Sequence, residues 1–279
     1  MSGLEDLPPL REALAAEGLL ARKSFGQHFL LDLNLTRKIV RLAAPLDGAV
    51  VIEVGPGPGG LTRALLESDA ALVIAVEKDP RFLPLLQELA DAAPGRLVVI
   101  EADALSVDEP ALVAAHAPGR PVRVIANLPY NVGTPLLIKW LTGPLRPAAM
   151  HLMFQKEVAQ RIAAPPGSDA YGRLSVISQA VAEARIALSL PARAFTPPPR
   201  VDSAVIEITP RAQGPSPALL AALETVTAHA FGQRRKMLRS SLKALGGAAL
   251  CEAAGIDADA RAETIPVSGF LALAETVKG

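Results

Sequence analysis

The sequence predicts an α/β fold: a doubly wound sheet, mostly parallel with an antiparallel edge strand, followed by a small all-α C-terminal domain. Three observations carry this reading. Short apolar runs at 50–54, 71–76, 97–100, 122–126 and 149–154 alternate with helical stretches, the pattern of parallel strands buried on both faces. The first run leads through a glycine-rich loop directly into a helix, as a ligand-binding strand-to-helix turn does. After PRAQGPSP at 210–217, a stretch rich in turn formers, only helical periodicity remains.

The elements follow in chain order. Residues 8–20 and 34–44 read as helices. In the second, Leu35, Ile39, Val40 and Leu42 have helical spacing, and Asn34 is the expected N-cap. VVIEV, ALVIAV, LVVI, VRVIA and AMHLMF then supply the parallel strands, and ligands of such a sheet bind at the strands' carboxyl ends. Two further strands, near 184–190 and 204–209, flank the turn TPPP at 196–199 and are expected to pair antiparallel at the sheet edge. Helices are expected near 217–230, 232–245, 248–254 and 267–277. The boundary therefore falls between a sheet domain, 1–211, and a helical domain, 212–279.

Composition narrows the function classes. In a chain of 279 residues, 50% hydrophobic and 20% charged content supplies a sizeable core and excludes a disordered chain. No apolar run approaches the roughly 18 residues of a membrane span. Glu5 and Asp6 stand where a signal peptide would carry positive charge. A soluble cytoplasmic protein is the expectation. Cys251 is the one cysteine, which excludes an internal disulfide and a multi-cysteine zinc site. His28, His116, His151 and His229 form no HExxH or HxxxH spacing, so no metal is expected. Charge balances over the chain but not along it. Residues 47–118 carry 4 basic and 12 acidic side chains, and residues 119–211 carry 11 and 5. A polyanion can meet a basic face built by the later segments while the acidic segment faces away.

The loop Glu53-Val54-Gly55-Pro56-Gly57-Pro58-Gly59-Gly60 satisfies G-x-G-x-x-G through Gly55, Gly57 and Gly60. Glu77 ends the second strand about 20 residues on, where a carboxylate accepts both hydroxyls of a ribose. An adenosine-type cofactor is thus expected. A dinucleotide pyrophosphate needs backbone N–H donors from this loop, and Pro56 and Pro58 have none. S-adenosylmethionine carries no phosphate, so it suits the loop better. Asp103, after the third strand, is placed to accept the amino group of an adenine ring.

The fourth strand ends in Asn127-Leu128-Pro129-Tyr130, at the same sheet edge as the glycine loop. NLPY at this position resembles the motif of amino-group methyltransferases. With it stand KSFGQHFLLD (23–32), VIEVGPGPGGLT (51–62), FQKEVAQRI (154–162), YGRLSV (171–176), FTPPPRVDSAV (195–205) and FGQRRKMLRSSLK (231–243). Together these resemble the small-subunit ribosomal RNA adenine dimethyltransferase family, over most of the chain. The resemblance implies a Rossmann-like methyltransferase sheet and transfer of methyl groups from S-adenosylmethionine to N6 of two adjacent adenosines. Those lie in the hairpin near the 3′ end of 16S rRNA, met within a small-subunit precursor; a monomer is expected. It also implies that His28 and Leu30 belong to the segment closing over the cofactor, with Gly55, Gly57, Glu77, Asp103 and Asn127, and that Phe195 stacks on the target base with Tyr130.

The chemistry assigns the remaining roles. The lone pair of adenine N6 is delocalised into the ring, so the site must favour a pyramidal nitrogen aimed at the methyl carbon. The Asn127 side-chain oxygen and the Leu128 carbonyl are the natural acceptors for the N6 hydrogens. Pro129 stiffens the turn, and Tyr130 offers a ring to an extruded base. Arg234, Arg235, Lys236, Arg239 and Lys243 are expected on the outer face of the 232–245 helix, against RNA phosphates, with Leu238, Leu242 and Leu245 facing inward. Three other readings stay open. A nicotinamide-dependent oxidoreductase would use the glycine loop but leave NLPY unexplained. A large-subunit rRNA methylase of the antibiotic-resistance type and a non-enzymatic RNA-binding assembly factor share the fold.

Overall fold

Val50, Val51, Ile52 and Val54 are all buried, because helices cover both faces of the strand they form. The structure is a computed structural model that describes residues 3–19, 28–233 and 235–278. Its seven strands are β1 (Val50–Val54), β2 (Leu72–Glu77), β3 (Leu97–Glu101), β4 (Val122–Asn127), β5 (Ala149–Gln155), β6 (Ala182–Leu190) and β7 (Ser203–Pro210). They lie in the order β3-β2-β1-β4-β5-β7-β6. The pairs β1–β2, β1–β4, β2–β3 and β4–β5 are parallel. Strand β7 runs antiparallel to β5, with Leu152 opposite Ile206. The expected doubly wound sheet with an antiparallel edge is therefore present.

This order has one consequence for function. From β1 the chain winds outward through β2 to β3, then crosses back to lay β4 on the other side of β1. The loops leaving β1 and β4 diverge at this switch point and open a crevice at the carboxyl edge of the sheet. The glycine loop and NLPY are those two loops.

The chain forms two compact units, residues 1–156 with 186–208, and residues 157–185 with 209–279. The first holds the sheet core, in which Val51, Leu65, Val73, Leu86 and Ile125 are fully buried. The second takes in residues 157–185, which the expected boundary at 211 placed with the sheet. The reason is packing: Tyr171, Val176 and Ala180 share a core with Leu223, Val226, Leu238, Leu242 and Phe270. Tyr171 Oη donates to the Ile265 carbonyl at 2.9 Å, so its polar end is satisfied inside that core.

Three local expectations are corrected. Asp32, not Asn34, caps the helix Leu33–Leu42: its carboxylate accepts the Asn34 N–H at 2.9 Å, and the helix starts one residue earlier. The first helix is confined to Leu10–Ala16, with Pro9 before it and Gly18 at φ +63° after it. The expected helix over 232–245 is broken. The preceding helix, Pro217–Gly232, extends to 232, and a short turn Leu238–Ser241 follows. The Leu238 and Arg239 N–H groups donate to the carbonyls of Ala260 and Ala258, each at 2.9 Å. Amides paired in that way cannot close i−4 helical bonds. Leu238 and Leu242 are still buried as their spacing required.

Candidate active site

The site begins with the backbone of the glycine loop. Gly55 and Gly57 have φ of +67° and +53°, a region side chains with a Cβ rarely adopt. A Cβ on Gly55 would stand 3.3 Å from Pro129 Cδ, so the β1 and β4 loops touch. A Cβ on Gly60 would collide with the Leu30 carbonyl oxygen, so the segment 28–30 lies directly over the loop. That segment is tied down at its other side. Phe29 and Thr196 exchange backbone hydrogen bonds at 3.0 and 2.9 Å. The His28 ring donates from Nδ1 to the Pro197 carbonyl at 2.7 Å, which fixes its proton on that nitrogen.

Between these elements lies a cavity of about 870 Å³, within the usual range for a cofactor site. His28, Leu30, Gly55, Gly57, Glu77, Asn127, Leu128, Pro129 and Tyr130 all line it. Glu77 is 6% exposed. Its Oε2 accepts the Gly57 N–H at 2.9 Å and its Oε1 accepts the Asp79 N–H at 2.8 Å. Burial pushes the Glu77 carboxyl up, and these backbone donors pull it back down. Asp103 meets the cavity wall through Lys78, whose Nζ lies 2.8 Å from Asp103 Oδ2. Asp103 Oδ1 accepts the Leu105 N–H at 3.0 Å. The lysine partner holds the Asp103 carboxyl below its ordinary range.

On the β4 side, Asn127 Nδ2 donates to the His28 carbonyl at a long 3.5 Å. This orients the amide and leaves Oδ1 without a partner among the described residues. Tyr130 is half-buried, its Oη 2.9 Å from Ser203 Oγ and its ring 5.9 Å from the His28 ring. Burial pushes its phenol up and the serine bond opposes this.

Phe195 does not join this wall. It is 3% exposed and packs in the core with Phe29, Leu190 and Val205, so it offers no free face to a base. The basic residues belong to the second unit. Arg235, Lys236, Arg239 and Lys243 are exposed, and Arg239 pairs with Asp259 at 2.9 Å. Arg234 lies outside the described residues, as do residues 23–27 of the KSFGQHFLLD segment.

One wall residue escaped the sequence reading. Glu53 is 1% exposed, lines the cavity and accepts the Thr62 hydroxyl at 2.7 Å. Burial pushes its carboxyl up to about 8; Thr62 opposes this and Glu77 adds to it. The signal was present: an acid inside VVIEV, an otherwise apolar strand buried on both faces.

The donor set decides what this cavity suits. Pro56 and Pro58 carry no N–H, and the Gly57 N–H is taken up by Glu77. Few donors remain for a pyrophosphate, and Glu77 and Asp79 give the wall acidic character. A cationic nucleoside cofactor without phosphate fits.

The family model for ribosomal RNA adenine dimethylase matches residues 18–278. The chain belongs to that family. A relative from Phenylobacterium zucineum, ribosomal RNA small subunit methyltransferase A, is 70% identical, over 98% of this chain and 93% of its own. The protein of the same name from Caulobacter vibrioides is 66% identical, over 93% and 98%. Among solved structures, the 23S rRNA methyltransferase ErmE shares the fold at TM-score 0.68 and 25% identity, over 90% of this chain and all of that one. A dimethyladenosine transferase from Plasmodium falciparum has the same fold at TM-score 0.72 and 24% identity, covering 88% and 96%.

Proposed function

We propose that this chain transfers methyl groups from S-adenosylmethionine to N6 of two adjacent adenosines in the hairpin near the 3′ end of 16S rRNA. The observation that carries this is the contact of the two loops at the switch point: NLPY packs against Gly55 at the mouth of an acidic, donor-poor cavity. The names of the family members at 70% and 66% identity support the small subunit over the large. The nicotinamide alternative is disfavoured by the Gly57–Glu77 hydrogen bond, which takes the donor a pyrophosphate needs.

The bound cofactor supplies an activated methyl group on a sulfonium. The chain does the rest. Glu77 accepts the ribose hydroxyls, and Asp103 accepts the adenine amino group of the cofactor. Leu30 and the His28 backbone close over it. Asn127 Oδ1 and the Leu128 carbonyl accept the N6 hydrogens of the target and turn the nitrogen lone pair toward the methyl carbon. These bonds strengthen as positive charge develops on N6, so they favour the transition state over the ground state. The alkylated nitrogen is acidic enough to lose its proton to solvent, and no strong base is required. Tyr130 provides the stacking ring.

The working unit in this reading is a monomer. No helix among the described residues is long and apolar enough to cross a membrane. We place the protein in the cytoplasm, acting on a small-subunit precursor, with Arg235, Lys236, Arg239 and Lys243 on RNA phosphates. The test is transfer of a labelled methyl group to purified small-subunit particles lacking the modification. Label at adenine N6 in small-subunit rRNA supports the proposal; label confined to large-subunit rRNA, or none, overturns it.

A further inference from the structure

A partly buried charge cluster lies behind the Asp103 loop, and no step of the proposed chemistry uses it. Lys139 stands on the helix Gly133–Thr142, which begins directly after the NLPY loop. Its ammonium has three N–H donors, and all three are engaged. Nζ donates to the Ala104 carbonyl at 2.8 Å, the Val107 carbonyl at 2.6 Å and Glu109 Oε1 at 2.8 Å. Glu109 is 3% exposed, and its Oε1 also accepts the Trp140 indole N–H at 2.8 Å. An ion pair with a buried carboxylate and a half-buried ammonium costs desolvation and is weak evidence for stability, yet with these extra bonds it fixes geometry well.

The groups it fixes are specific. Ala104 and Val107 are in the loop that starts at Asp103 and ends where Asp108 caps the helix Glu109–His116. The Leu105 and Ser106 N–H groups both donate to Asp103, to its carboxylate and its carbonyl. Lys139 therefore holds two carbonyls that bracket these amides. At the other end of the same helix, the Val132 and Gly133 N–H groups donate to the Pro129 carbonyl at 3.1 Å. One rigid helix thus connects the loop that presents Asn127 to the loop that presents Asp103.

We infer that Lys139, through its tripod on Ala104, Val107 and Glu109, is a positioning residue that aims Asp103 at the 6-amino group of the cofactor's adenine and so sets the preference for that base. The inference rests on the proposed role of Asp103. An ammonium suits the task because its donors converge from one small atom; the planar fork of an arginine does not reproduce a tripod.

The test is calorimetric binding of S-adenosylhomocysteine and of its inosine counterpart, in which a carbonyl oxygen replaces the 6-amino group. A carboxylate aimed at that position repels the carbonyl, and a missing charge-assisted hydrogen bond there costs roughly tenfold or more in affinity. Wild-type protein is expected to show that preference. Lys139→Met is expected to reduce it to about threefold or less by weakening the adenosine form. Where Lys139→Met does not fold, Lys139→Met combined with Glu109→Gln removes both charges of the pair together and is read in the same way. A folded variant with lowered thermal stability but an undiminished preference overturns the inference, since a purely structural role predicts that result. A wild type with no preference between the two ligands instead overturns the reading of Asp103 itself.

Discussion

The Gly57 N–H donates to Glu77 Oε2 at 2.9 Å, joining the apex of the glycine loop to the end of β2. One carboxylate thereby holds the loop in shape and faces the cavity with its remaining lone pairs. It also removes from the loop the donor that a phosphate would seek. The dinucleotide spacing of the sequence is thus turned to a different ligand class by this carboxylate together with Pro56 and Pro58, which carry no N–H.

Glu77→Ala is expected to weaken S-adenosylmethionine binding by roughly 2–4 kcal/mol, the worth of two charge-assisted hydrogen bonds to ribose hydroxyls. Isothermal calorimetry on the folded variant checks this. Unchanged affinity removes Glu77 from the cofactor site.

Asn127→Ala is expected to slow methyl transfer by about 10²–10³, the usual cost of losing one oriented transition-state partner. RNA affinity is expected to persist. Single-turnover kinetics beside a filter-binding titration separate the two quantities, and a near-normal rate rejects the acceptor role.

Glu53 gives a pH prediction. Its folded carboxyl is pushed up to about 8 from an ordinary value of 4.5. Between those two values the unfolded chain has released the proton and the folded chain has kept it. Stability therefore falls as pH rises through this window, by up to roughly 1.4 kcal/mol per unit. Glu53→Gln cannot ionise, so its melting temperature is expected to gain on wild type steadily from pH 5 to pH 8. A constant difference between the two across that range means that Glu53 is ionised when folded.

The exposed basic residues of the second unit are not equivalent. Arg239 is paired with Asp259 at 2.9 Å, and freeing it from this partner offsets part of what a phosphate contact contributes. Replacing Lys236 or Lys243 by Gln is expected to lower the magnitude of the log–log salt slope of RNA binding by roughly 0.7–0.9 each. Arg239→Gln should lower it less. Equal slopes for all variants and wild type leave these residues as a solvated face.

The five parallel strands were legible because each is centred on a short apolar run, as strands covered by helices are. The two active-site loops were legible for the same reason: both leave carboxyl ends of neighbouring strands. The break before Leu238 was not, because Leu238 and Leu242 keep helical spacing while their segment pairs its amides with residues 258 and 260. The Asp32 cap was missed because two Asx residues stand two positions apart and either satisfies the pattern. Glu109, Lys139 and Trp140 meet only in three dimensions, and no spacing rule joins residues 30 apart on different elements.

The most direct measurement is mass mapping of modified nucleosides in small-subunit rRNA from cells with and without this protein. N6,N6-dimethyladenosine is expected at two adjacent positions of the 3′-terminal hairpin when the protein is present, and unmodified adenosine at both when it is absent or carries Asn127→Ala. Dimethylation that persists at both positions without the protein, or a loss confined to large-subunit rRNA, contradicts it.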